Sequence, residues 1–208
     1  MNPRMKKAVS LLGWVLSPTR KIIDKLKVGD SAHCGRELRK WNWRWFLWEV
    51  TLAVILVTFS VNYQSAQANW YFFFPLLAVG WSRINEIAYA FYQDPLSRLA
   101  NEIPFSDLLP IDRIRMAMKS YVGLGINFAI IFYFLPLKDG FTGDMSTFFD
   151  ALYFSGVTLT TLGYGDIAPK NCIARAFALY EVFAGILLIA VAIGTYIGAS
   201  STKQNEAA

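Results

Sequence analysis

The run Thr158 to Pro169, TLTTLGYGDIAP, carries hydroxyls at 158, 160 and 161, glycines at 163 and 165 around Tyr164, then Asp166 and Pro169. With so few bulky side chains around its glycines, it presents backbone carbonyl oxygens rather than side-chain chemistry. Glycine at 163 and 165 permits positive φ, which turns successive carbonyls toward one axis. Four such loops around an axis could replace the water shell of a dehydrated monovalent cation. Residues for other chemistry are scarce. There is one histidine, His33, no nucleophile beside a base, and no metal-ligand spacing around Cys34 and Cys172. A membrane enzyme fails on these grounds.

A loop of this kind needs surroundings that exclude water. Of the 208 residues, 55% are apolar and only 17% charged, and mean hydropathy is +0.35. Globular domains carry about a quarter charged residues, so this chain has more apolar surface than one soluble core hides. The aromatic clusters WNWRWFLW and NWYFFF suit membrane interfaces. The net charge of +5 is unevenly spread: eleven of the twenty Lys and Arg residues precede Trp45, and Arg98, Arg113 and Arg115 follow between later apolar stretches. That asymmetry fits cytoplasmic segments and attraction to anionic lipid, not a nucleic-acid face.

The apolar stretches predict an all-α membrane protein with four transmembrane helices, at about 45–63, 70–92, 121–137 and 174–199, each near the ~20 residues a span requires. Residues 1–44 form a cytoplasmic segment whose basic and apolar residues interleave over 5–27. Two readings stay open for it: an amphipathic stretch on the inner leaflet, with anionic lipid as partner, or a solvated tail. Residues 45–92 make a two-helix hairpin and 93–118 a cytoplasmic linker broken at Pro95, Pro104 and Pro110, in which IDRIRMAMK could lie along the membrane surface. A pore unit occupies 119–199 and a cytoplasmic tail 200–208. FFDALYFSGVTL is too short to cross and too apolar for water, so it reads as a re-entrant helix. Ser146 or Thr147 would be its N-cap, with Asp150 completing a capping box. The protein is expected in the cell membrane, multi-pass, with both termini cytoplasmic.

Thr160-Thr161-Leu162-Gly163-Tyr164-Gly165-Asp166 resembles the filter signature of tetrameric potassium channels, with Leu162 where valine is commoner. Ala151 to Ser155 is similar to the pore helix of that family, and Asp166 to Pro169 to the filter exit. Gly185 falls at the family's hinge. The resemblance covers about 119–199. It implies a homotetramer conducting K⁺, with ion sites formed by carbonyls of Thr161, Leu162, Gly163 and Tyr164 beside Gly165, the Thr161 hydroxyl completing the innermost site. No cofactor is implied beyond K⁺ as the permeant ion. The other reading is a non-conducting subunit or membrane scaffold that keeps the pore fold.

Several residues are candidates for support and gating. The family commonly places a carboxylate at the position of Val157 to bond the aspartate after GYG, and Phe154 lacks a polar tip for Tyr164. Glu181 is expected to act behind the filter instead, protonated and bonded to Thr158 or Thr160, with Asn127 as second partner and Asp166 at the filter's outer end. Arg83 within the second span is expected to be buried against Glu86 or Glu49, since an unpaired charge at depth costs several kcal/mol. One arginine in a span does not make a conventional voltage sensor. Ile186, Ile189, Ile193 and Ile197 recur at helical spacing after Gly185. They either line the cavity and close it by dewetting or pack against neighbouring helices.

Overall fold

The computed structural model describes residues 17–19, 30–59, 62–99, 106–137 and 139–189. Most of the amphipathic N-terminal segment, the tail 200–208, Ile193 and Ile197 lie outside the described residues. In chain order the elements are α1 (Ser31–Thr58), α2 (Tyr63–Ala68), a 3₁₀ turn (Trp70–Phe73), α3 (Phe74–Leu99), α4 (Pro110–Phe134), β1 (Phe141–Thr142), α5 (Phe148–Leu159), β2 (Ala168–Pro169) and α6 (Cys172–Ile186). Helical structure continues to Ile189 as a wider π-type turn. Two of these helices, Pro110–Phe134 and Cys172–Ile189, are long and apolar enough to cross a membrane.

Several element boundaries differ from the sequence expectation. α3 runs through Pro95 to Leu99 instead of ending at 92, so the linker is not broken at Pro95, and α2 occupies the connection between the first two expected spans. α1 begins at Ser31 rather than at Trp45. Its early turns pack inward through buried Cys34 and Gly35, and Asn42 donates to Ser120 Oγ at 3.0 Å. Arg36, Lys40 and Arg44 sit on the exposed side, so charges assigned to the segment 1–44 form one face of a helix. The stretch IDRIRMAMK is not a separate surface helix. Pro110 occupies the first turn of α4, where a fixed φ and a missing N–H cost nothing, and the helix runs unbroken to Phe134.

α4 is the hub, packed against α1, α3, α5 and α6. Every residue from Gly123 to Phe134 is buried. Phe132 meets Phe154 of α5 edge-on at 5.0 Å and Phe141 at 5.6 Å, while Tyr133 and Phe134 face Phe148. Lipid is as apolar as these rings, so within a bilayer close packing and internal polar bonds decide the arrangement. Gln67 of α2 supplies two such bonds, donating to the Tyr133 carbonyl and accepting from the Leu137 amide, each at 2.8 Å.

α5 covers 148–159 with Thr147 as N-cap. The Asp150 amide donates to Thr147 Oγ1, and Asp150 Oδ2 accepts from the Thr147 amide at 2.7 Å, closing the reciprocal box. The two-residue strands pair antiparallel, Phe141 with Pro169 and Thr142 with Ala168, joining the chain before α5 to the chain after residues 160–166.

Candidate functional site

The run from Thr160 to Asp166 emerges from the C-terminus of α5 and is exposed throughout. Its start is a helix cap. The Leu162 amide donates to the Val157 carbonyl and the Thr161 amide to the Thr158 carbonyl, both at 3.0 Å. These are the two bonds of a Schellman motif, whose left-handed position is normally glycine. Here that position is Thr161, with φ of 59°. A β-branched residue in this region costs roughly 1–2 kcal/mol. The Thr160 hydroxyl bonds back to the Gly156 carbonyl at 2.6 Å, and Tyr121 Oη of α4 donates to the Leu159 carbonyl at 3.1 Å.

Beyond the cap, handedness alternates. Thr161, Gly163 and Gly165 have φ of 59°, 58° and 82°, while Leu162 and Tyr164 between them keep negative φ. An extended strand sends successive groups to opposite sides. Alternation in the sign of φ breaks that extended pattern, and glycine at 163 and 165 is the residue that adopts positive φ without strain. No atom outside the adjacent residues lies within 4 Å of a Cβ built at Gly163 or Gly165. Backbone conformation, not space, requires glycine there.

Three supports hold the run. Tyr153 Oη of α5 donates to Asp166 Oδ2 at 2.8 Å. That bond holds the Asp166 carboxyl below its ordinary value of 3.8, because it favours the charged form. Sequence reasoning missed Tyr153. The signal was available: it lies one turn before Val157 on the same helix face, with a longer reach than a carboxylate. The second support is the β1–β2 pairing. The third is Glu181, fully buried on α6, whose Oε1 bonds Ser155 Oγ of α5.

This third support corrects the partners expected for Glu181. Ser155, one turn earlier on α5, takes the place of Thr158 and Thr160, because the Thr160 hydroxyl is committed to its own helix. Asn127 faces away, its Nδ2 donating to Glu49 Oε1 at 2.9 Å and to the Gly123 carbonyl at 2.7 Å. Ser155 Oγ also lies 2.7 Å from the Gly125 carbonyl oxygen of α4.

The structure brings Arg83, Glu49 and Glu86 together. Arg83, 3% exposed, donates from Nε to Glu49 Oε1 at 3.1 Å and from a terminal nitrogen to Glu86 Oε1. Its guanidinium lies 4.6 Å from the Trp45 ring centroid, and Trp41 Nε1 donates to Glu86 Oε1 at 3.3 Å. A Cβ at residue 123 would fall 2.1 Å from Glu49 Oε2, so Gly123 is what lets the carboxylate reach α4. The cluster clasps α1 and α3 to α4. Gly185 is buried in α6, where a Cβ would come 2.7 Å from Leu159 Cδ1 and 3.4 Å from the Leu159 carbonyl oxygen. Ile186 and Ile189 are exposed in the single chain, at 49% and 44%.

A short capped helix, a run in which φ alternates in sign and two flanking apolar helices make up this site. Residues 120–199 match the family described as "Ion channel". Two-pore potassium channel 1 of Arabidopsis thaliana is 38% identical over 92 residues, 43% of this chain and 24% of that protein. The voltage-gated potassium channel Kch of Escherichia coli is 36% identical over 64 residues, 31% of this chain and 15% of that protein. Potassium voltage-gated channel subfamily KQT member 4 of Homo sapiens is 36% identical over 87 residues, 41% of this chain and 12% of that protein. Over this segment the chain is similar to potassium channels. The chain spans at most about a quarter of the length of these relatives. No solved structure matches it significantly.

Proposed function

We propose that this chain is one subunit of a homotetrameric K⁺-selective channel in the cell membrane, a passive conductor rather than an enzyme. The observation that carries the reading is the alternating backbone of Thr161 to Gly165 at the end of a pore helix. Four copies around an axis would present carbonyls of Thr161, Leu162, Gly163 and Tyr164 as successive K⁺ sites, with the Thr161 hydroxyl at the innermost. A cage of this kind replaces the hydration shell of the ion.

The four spans are α1, α3, α4 and α6, with both termini cytoplasmic. Within these spans Arg83, Glu49 and Glu86 are accommodated by pairing with one another. Assembly is supported by what one chain leaves bare. Leu162, Tyr164 and Phe183 are 59%, 67% and 62% exposed, and a neighbouring copy would cover such groups. Gly185, Ile186 and Ile189 are the gate positions on α6 and the turn that follows it, with Ile193 and Ile197, outside the described residues, as further candidates.

The test is flux through vesicles holding the purified chain. Gly163→Ala puts a side chain at φ of 58°, so it should abolish K⁺ flux while the particle still contains four chains. Undiminished K⁺ flux through Gly163→Ala would overturn the filter assignment.

A further inference from the structure

The three helices of the pore unit meet at one hydroxyl group. Ser155 Oγ, fully buried, bonds both Glu181 Oε1 and the Gly125 carbonyl oxygen. A serine hydroxyl has one proton to give. A carbonyl oxygen has none, so at 2.7 Å the Ser155 proton must serve Gly125. An ionised Glu181 would then set lone pairs against lone pairs across its contact with Ser155. A proton on Glu181 removes the conflict: its O–H donates to Ser155 Oγ, and Ser155 O–H donates to Gly125.

The surroundings agree. Glu181 is 0% exposed, and among the described residues no ion pair includes it. Tyr121 of α4, a titratable group that interacts with Glu181, is committed to the Leu159 carbonyl, and Tyr180, its neighbour in the chain, is committed to Asn85 Oδ1 at 3.0 Å. Among the described residues, Glu181 Oε2 has no hydrogen-bond partner. An ionised carboxylate there would be far costlier than the carbonyl oxygen of a neutral acid.

We propose that Glu181 is held in its neutral, protonated form and acts as a positioning residue for the filter. The chain Glu181–Ser155–Gly125 fastens α5 to α6 and α4 one turn below the point where the filter run leaves the helix. The proton assignment stands on geometry alone; its effect on conduction rests on the K⁺-channel reading.

The experiment pairs infrared spectroscopy with flux on the full chain in vesicles. The parent spectrum minus that of Glu181→Gln should contain the carbonyl band of a hydrogen-bonded carboxylic acid, and Ser155→Ala should shift that band upward. A difference showing only ionised-carboxylate bands would overturn the proposal. Gln donates from its amide as the acid does, so Glu181→Gln should keep sustained K⁺ flux. Glu181→Val should hasten flux decay roughly tenfold, the loss of about 1.4 kcal/mol of buried hydrogen bonding. If Glu181→Val fails to assemble, Ser155→Ala serves in its place. Decay in Glu181→Gln as fast as in Glu181→Val, or parental decay in both Glu181→Val and Ser155→Ala, would refute the positioning role. A protein that shows the acid band yet passes no K⁺ contradicts the proposed function and supports the proton assignment.

Discussion

Tyr153 Oη donates to Asp166 Oδ2 at 2.8 Å, tying the middle of the pore helix to the residue that ends the filter run. Because the bond favours the charged carboxylate, Asp166 titrates below 3.8. For a depressed acid, the support is complete above the ordinary value and is lost as pH falls through the depressed one. Flux decay should therefore speed up only when the solution at the filter exit falls below that value. Tyr153→Phe should decay rapidly at every pH and show no acid step. Equal decay in Tyr153→Phe and the parent at neutral pH would remove this support.

Arg83 sits between two buried carboxylates, so its loss is felt by both. Breaking a buried pair by removing one partner costs about 3–5 kcal/mol. Arg83→Gln should lower thermal stability in detergent accordingly, and adding Glu49→Gln should recover part of the loss through coupling. Additive losses in the double variant would show that the two groups do not depend on each other.

Gly185→Ala tests close packing of α6 on the filter's foundation. The new Cβ would lie 2.7 Å from Leu159 Cδ1, so Leu159 must move just where Tyr121 holds its carbonyl. Overpacking of this kind costs about 1–3 kcal/mol. Thermal unfolding should register it, whereas a stability equal to the parent's would mean that the Leu159 side chain yields freely.

Much of the site could be read in advance because its determinants are local. The pore helix at 148–159 and its Thr147–Asp150 box follow from a short apolar run with capping residues at fixed offsets. Positive φ at 163 and 165 follows from glycine chemistry. What could not be read depends on neighbours. The start of α1 at Ser31 was hidden because Arg36, Lys40 and Arg44 mark only its exposed face. Glu181 found Ser155 rather than Thr158 or Thr160, since a shift of one turn between packed helices leaves no trace in one sequence. The left-handed Thr161 runs against its residue type and is imposed by the cap that ends α5. The pairing of β1 with β2 involves two residues on each side, one of them Pro169, and carries no strand signal of its own.

The central claim is selectivity, and the reversal potential of the unmutated chain in a planar bilayer measures it directly. With K⁺ on one side and Na⁺ on the other, a cage of carbonyls matched to dehydrated K⁺ should bring the reversal potential close to the K⁺ equilibrium potential. A reversal potential near zero, meaning equal passage of K⁺ and Na⁺, would contradict it.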